Sequence, residues 1–163
     1  MRPRHIAHLG RRFMGSLWPG GPSRRREGWV ATVLSPAEHR LWRRMSGPDR
    51  RHAVAVARRV DRAMGGGADR PVLVAALLHD VGKVEAGLGL LGRVAATAAS
   101  LAGRRPGGAM GAYLRHAEVG SGLLEEAGSD PVTVAWAREH HLPPDRWTVP
   151  AEIGAVLKAC DDD

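Results

Sequence analysis

Histidines and aspartates recur in the sequence at positions where a predicted helix faces inward or ends. Seven residues share this placement: His52, His79, Asp80, His116, His140, His141 and Asp161. A single histidine on an apolar helix face is usually an ordinary core residue, so none of them is informative alone. Together they are harder to explain as packing, because ionisable groups are costly to bury unless they are paired or bind a metal. Imidazole and carboxylate ligands around one point suit Fe, Mn, Zn and similar divalent ions, so the set predicts a metal site.

Asp161 is the most informative of these residues. It shares the apolar face of a helix predicted to start at Pro150, together with Ile153 and Leu157. An isolated carboxylate on such a face would be strongly disfavoured. The alternative is that Asp161 belongs to a frayed, solvated tail of three aspartates. Since only two residues follow it in this sequence, we also expect this ligand to be loosely anchored.

The elements that must position these residues are predicted to be helices. Ala, Leu and Val are abundant, aromatic residues make up 4% of the chain, and extended apolar–polar alternation is missing, which together favour helices over strands. We predict helices over 36–45, 49–64, 72–78, 90–102, 112–127 and 131–141, another from 150, and a loop over 103–111. The predicted fold class is therefore all-α, a single bundle of about six to seven helices.

Local signals support several of these helices. Ser35 and Glu38 are spaced as a capping box, and Asp130 is placed to cap a helix. His52 lies on the apolar face of its helix, so its side chain is predicted to point inward. The segment Val72–Leu78 is apolar on every side, which predicts a buried central helix ending at His79 and Asp80.

The positive charge of the chain is concentrated at its start. Residues 1–28 contain seven arginines and one glutamate, so they carry six of the seven net positive charges. Residues 19–28, rich in Gly, Pro and Arg, are predicted to form neither helix nor strand. We therefore predict a flexible basic arm over 1–28 and a folded metal-binding domain over 29–163. Such an arm could contact nucleic acid or an anionic membrane, but a solvated leader is the simpler interpretation.

The cysteine content argues against a protein with internal disulfides, and the hydropathy argues against a membrane-spanning protein. Cys160 is the only cysteine, so no disulfide can form within the chain, and we expect a reducing, cytoplasmic compartment. We expect Cys160 to pack in the core rather than to bind metal. No apolar run approaches the roughly 20 residues that a membrane-spanning helix needs, so no membrane span is predicted.

The order of the candidate ligands resembles the H…HD…D signature of the HD superfamily of metal-dependent phosphohydrolases. His52 matches the first histidine, His79-Asp80 the pair, and Asp161 the final aspartate. The segment Ala75–Lys83, AALLHDVGK, is similar to the LLHDIGK segment typical of that family, and the three remaining histidines match the extra histidines of its two-metal members. The resemblance covers about Pro36–Asp161, most of the chain.

The resemblance implies a role for each residue. One divalent metal ion would be held by His52, His79, Asp80 and Asp161. A second ion would be bridged by Asp80 and bound by His116, His140 and His141. Lys83 would contact the substrate phosphate, so Asp80 and Lys83 are the predicted catalytic residues. The implied cofactors are one or two ions of Fe, Mn, Zn, Co, Ni or Mg.

The implied activity is hydrolysis of a phosphomonoester or phosphoanhydride bond in a small nucleotide by a metal-activated water. His140-His141 is followed by Leu142-Pro143-Pro144 rather than by the Gly-Tyr-Pro of cyclic-di-GMP phosphodiesterases, which argues against that substrate. The pattern looks more like that of small standalone nucleotide phosphatases, including those that hydrolyse dinucleoside tetraphosphates. Two alternatives remain open: a di-iron oxygenase of HD type, and a non-catalytic HD domain that senses a ligand.

Overall fold

The computed structural model describes residues 20–85, 108 and 115–162. The helix predicted over 90–102 lies outside them, as does the loop predicted over 103–111 apart from Gly108. The described residues contain no β-strand and form seven α-helices: α1 (Arg24–Val33), α2 (Pro36–Arg44), α3 (Gly47–Ala63), α4 (Arg70–Leu78), α5 (His116–Glu126), α6 (Pro131–Glu139) and α7 (Ala151–Asp162). Two short 3-10 helices span Val81–Glu85 and Pro144–Arg146. The predicted all-α class is confirmed, and none of these described helices is long and apolar enough to cross a membrane.

Two helices begin with the caps that the sequence predicts. The Ser35 side chain accepts a hydrogen bond from the Glu38 backbone N–H at 3.2 Å, and the Ser35 N–H donates to the Glu38 carboxylate at 2.8 Å. This reciprocal capping box starts α2. The Asp130 carboxylate accepts a hydrogen bond from the Val132 N–H at 2.9 Å and caps α6 in the predicted way.

The prediction for the segment before α2 is partly wrong. Residues 19–28 are predicted to form neither helix nor strand, but α1 begins within this segment. The Glu27 carboxylate accepts hydrogen bonds from Trp42 Nε1 at 2.8 Å and from an Arg50 guanidinium N–H at 3.0 Å. These long-range contacts attach α1 to α2 and α3 and outweigh the unfavourable local composition. The rest of the predicted arm, residues 1–19, lies outside the described residues.

Helix α4 lies at the centre of the bundle, as its apolar sequence predicts. It contacts α1, α3, α6 and α7, and six of its nine residues are buried. Its last two residues, Leu77 and Leu78, are fully buried. The chain then turns through His79 and Asp80, which are only 2% and 4% exposed. Two ionisable groups therefore lie in the core, where each needs a polar or cationic partner.

Candidate metal centre

Five segments of the fold bring the predicted ligands together. Helix α3 carries one of them, the turn after α4 two, the first residue of α5 one, the end of α6 two and the last turn of α7 one. In chain order they are His52, His79, Asp80, His116, His140, His141 and Asp161. All are buried except His52, which is half-buried, and His141, which is exposed. All seven residues singled out in the sequence thus form one cluster, which we call the His/Asp cluster.

One group of ligand atoms in the His/Asp cluster lies beside Asp161. Asp161 Oδ1 lies 2.8 Å from His52 Nε2 and 3.6 Å from His79 Nε2. Asp80 Oδ2 lies 3.5 Å from the same nitrogen of His79. The ligand atoms of His52, His79 and Asp80 lie within 4.8 Å of one another. Ligand atoms this close to one another are able to surround one divalent ion, which nitrogen and oxygen ligands bind at roughly 2.0–2.2 Å.

A second group lies on the other side of Asp80. Asp80 Oδ1 lies 3.4 Å from His116 Nε2 and 3.8 Å from His140 Nε2. His141 Nε2 lies 3.0 Å from His116 Nε2. The ligand atoms of these three histidines also lie within 4.8 Å of one another. Because the two oxygens of Asp80 face different groups, this carboxylate is placed to bridge two cations.

Two buried histidines test whether the His/Asp cluster suits a metal. His79 Nδ1 lies 3.0 Å from the Ala76 carbonyl oxygen, and His140 Nδ1 lies 3.0 Å from the Ala137 carbonyl oxygen. A carbonyl only accepts, so each Nδ1 carries a proton, and in the neutral form of the ring, which metal binding requires, each Nε2 presents a lone pair. Both Nε2 atoms are buried and have no hydrogen-bond partner among the described residues. A buried acceptor without a partner is costly, and a divalent cation is the partner that fits both atoms.

The surroundings of Asp80 keep its carboxyl in the ionised form that a metal ligand needs. Burial raises the pKa of this carboxyl, but the positive charge of Lys83, the charge of His79 and a hydrogen bond with His116 outweigh burial and hold the pKa well below its ordinary value. The Lys83 ammonium donates a hydrogen bond to Asp80 Oδ2, and its side chain is only 14% exposed. Asp80 is therefore ionised at neutral pH, with one fixed positive charge already beside it.

Three other candidate ligands are in the protonation states that metal binding requires. Burial raises the pKa of Asp161, but its hydrogen bond with His52 and the charge of His79 outweigh burial and lower the pKa below its usual range. Burial lowers the pKa of His140 to about 3, and desolvation lowers that of His141 to about 4. Asp161 is thus ionised and these two imidazoles are neutral at pH 7, as ligands must be.

Arg59 is a residue of this region that the sequence did not indicate. Its Nε donates a hydrogen bond to the Cys160 carbonyl oxygen at 2.8 Å, across a sequence separation of 101 positions. The bond ties the last turn of α7, which carries Asp161, to α3, which carries His52. Asp161 is also only 8% exposed. The expectation that Asp161 is loosely anchored, or belongs to a solvated tail, is therefore wrong.

Arg59→Met is expected to weaken metal binding about 10–100-fold, the usual effect of removing a group that orients a ligand. Methionine keeps the apolar stem but cannot donate to Cys160, so Asp161 would lose its fixed position. Competition with a chromophoric chelator measures the affinity. Arg40→Met, at an exposed position on α2, is the matched control. Equal affinities for the two variants would mean that Arg59 does not position Asp161.

Comparison with known proteins gives one match. The family model described as HD domain matches residues 50–161. The matched region covers more than half of the chain and contains the entire His/Asp cluster as well as Lys83. Comparison with curated proteins and with solved structures finds no significant match.

Proposed function

The chain belongs to the HD-domain superfamily of metal-dependent phosphohydrolases, and we propose that it hydrolyses a phosphomonoester or phosphoanhydride bond of a small nucleotide. The observation that carries this proposal is the position of Asp80 between two groups of imidazoles. Its Oδ2 faces His79, and its Oδ1 faces His116 and His140. Such a shared carboxylate is suited to two cations a few ångströms apart, the arrangement that many phosphate-cleaving enzymes use.

The cluster divides naturally between two ions. One would be held by His52, His79, Asp80 and Asp161. The other would be held by Asp80, His116, His140 and His141. When bound, such ions supply an activated water and offset the negative charge of the phosphoryl group. The two carboxylates balance part of the added charge, and the backbone carbonyls behind His79 and His140 keep those rings in orientation.

Lys83 supports phosphate as the substrate group. Its ammonium is held against Asp80 by a charge-assisted hydrogen bond, so its position is defined before any substrate binds. A preorganised cation next to the reacting centre stabilises negative charge that develops in the transition state. Oxidation of a C–H bond does not itself develop negative charge on a phosphoryl oxygen, so a fixed cation at this position favours the hydrolase over the di-iron oxygenase.

A metal analysis joined to a substrate screen tests the proposal. Protein purified without added metal is analysed by mass spectrometry and then reloaded separately with Fe(II), Mn, Co, Ni, Zn or Mg. Each form is assayed for phosphate release from nucleoside mono-, di- and triphosphates and from dinucleoside polyphosphates. We expect at least one loaded form to cleave one of these classes. A protein that binds none of the ions, or that cleaves no phosphoester while consuming oxygen with reduced iron, would refute the proposed hydrolase.

Lys83→Met is expected to lower kcat/KM about 10²–10³-fold, as removal of a single preorganised charge-stabilising group commonly does. The rates are compared on fully metal-loaded protein, because Lys83 hydrogen-bonds to the proposed ligand Asp80 and its removal is also expected to weaken metal binding. The matched control is Lys158→Met, the other lysine of the chain, which pairs with Asp162 at 2.7 Å on α7. Equal activity of the two variants would remove Lys83 from the mechanism.

A further inference from the structure

A second charged feature lies apart from the His/Asp cluster, between α1 and α3. It is a cavity of about 710 Å³, here called the arginine groove, whose wall includes Arg25, Arg26, Trp29, Arg58, Asp61 and Arg62. None of these residues belongs to the His/Asp cluster, and the proposed hydrolysis uses none of them. All four arginines are exposed. The groove therefore presents a concave, charged surface to solvent.

The positive charge of the arginine groove has no salt-bridge partner among the residues that the structure describes. Four arginines face one aspartate, a net charge of +3, and none of the four forms a salt bridge with another described residue. Glu27 on α1 is bonded to Trp42 and Arg50 instead. Outside the described residues, the sequence contains a single acidic residue, Asp163. Concentrated charge of one sign in a concave surface attracts an external anion.

Trp29 indicates which class of anion the arginine groove binds. It is half-buried in the same wall of α1 as Arg25 and Arg26, so a flat aromatic surface and guanidinium groups line one groove. Guanidinium groups bind phosphate oxygens through paired hydrogen bonds, and an indole ring stacks on an unpaired base. The ligand that uses both features carries phosphates and accessible bases.

We propose that the arginine groove binds single-stranded nucleic acid, with a base stacked on Trp29 and adjacent phosphates paired with the arginines. A strand is favoured over a single nucleotide because the guanidinium groups stand on two helices, Arg25 and Arg26 on α1 and Arg58 and Arg62 on α3, so that several phosphates can be paired along the groove. A duplex keeps its bases stacked on one another and leaves none for the indole. An anionic membrane would engage protruding apolar side chains, whereas this ring lies in a concave wall.

Fluorescence anisotropy with the full chain and a labelled single-stranded oligonucleotide tests the arginines. Arg58→Gln/Arg62→Gln is expected to weaken binding at least about tenfold and to reduce the slope of log K against log salt by about 1–2, since each lost phosphate contact removes about one unit. Arg40→Gln/Arg43→Gln changes the net charge equally at exposed positions on α2 and should leave both quantities nearly unchanged. Equal weakening by the two double variants would mean that binding depends on the overall surface charge, and it would overturn the proposed binding in the arginine groove.

Trp29 gives an independent readout. Trp29→Leu is expected to weaken binding about 5- to 150-fold, the range measured for loss of one stacked base, without changing the salt slope. Trp29→Phe should retain most of the affinity and serves as the check on folding. Equal affinity for a duplex of the same length would overturn the proposal. Anionic vesicles that displace the oligonucleotide and bind with the same dependence on Trp29 would also overturn it. Hydrolysis of small nucleotides should be unchanged in the groove variants, so the two proposed activities can fail separately.

Discussion

Asp80→Asn is expected to abolish divalent-metal binding and phosphohydrolase activity together. Asp80 Oδ2 lies 3.5 Å from His79 Nε2, and its Oδ1 lies 3.4 Å from His116 Nε2, so one side chain serves both groups of ligands. An amide offers one neutral oxygen and cannot bridge two cations. The other carboxylate of the cluster, on Asp161, lies beside His52 and His79 of the first group. Since loss of a group that merely orients a ligand costs about 10–100-fold, loss of the shared ligand should cost more than about 100-fold.

The Asp80→Asn result needs a folded variant and a matched control. Asparagine fills the same volume and removes a charge whose burial is costly, so the bundle should form as in the wild type, which circular dichroism checks. Metal content by mass spectrometry and initial rates of phosphate release are the two measurements. Asp145→Asn makes the same chemical change at an exposed position in the second 3-10 helix and should leave both unchanged. Wild-type metal content in folded Asp80→Asn would contradict the bridging role.

How much of the fold could be predicted depends on the distance over which each signal acts. The capping box of α2 joins Ser35 and Glu38, three positions apart, and can be recognised in a short segment. Helix α1 could not be recognised in this way. It depends on contacts of Glu27 with Trp42 and Arg50, which are 15 and 23 positions away. Neither partner lies in the local segment rich in Gly and Arg, so that segment alone does not predict the helix.

The same distinction applies to the candidate site. Each proposed ligand lies on an inward helix face or at a helix end that the local sequence defines, so the set could be assembled before the fold was known. The contacts that hold the set together left no local pattern, since Arg59 meets Cys160 across 101 positions. Gly82 lies against the backbone of α5 at His116 and Gly120, which are far from it in the sequence. Its only sequence signal was a glycine beside the His-Asp pair, for which the sequence alone offered no structural reason.

Gly82→Ala is expected to destabilise the fold by about 3 kcal/mol, the upper end of the usual cost of overpacking. A Cβ at this position would lie 1.9 Å from the His116 carbonyl oxygen and 2.5 Å from the Gly120 backbone nitrogen. Both are backbone atoms, so no side-chain rotation relieves the clash, and either α5 or the 3-10 helix Val81–Glu85 must move. For a chain of this size each kcal/mol lowers Tm by about 2–4 °C, so we expect a fall of about 6–12 °C by thermal unfolding.

The same displacement should weaken metal binding in the Gly82→Ala protein that remains folded. Asp80 and His116 lie on the two sides of this contact with 3.4 Å between Asp80 Oδ1 and His116 Nε2, and moving α5 away separates them. Gly122→Ala, in the same helix, is the control, because a Cβ there has nothing within 4 Å and should add about 0.5–1 kcal/mol through helix propensity. If both variants had a higher Tm than the wild type and equal metal affinity, the close contact at Gly82 would not be what positions Asp80 next to α5.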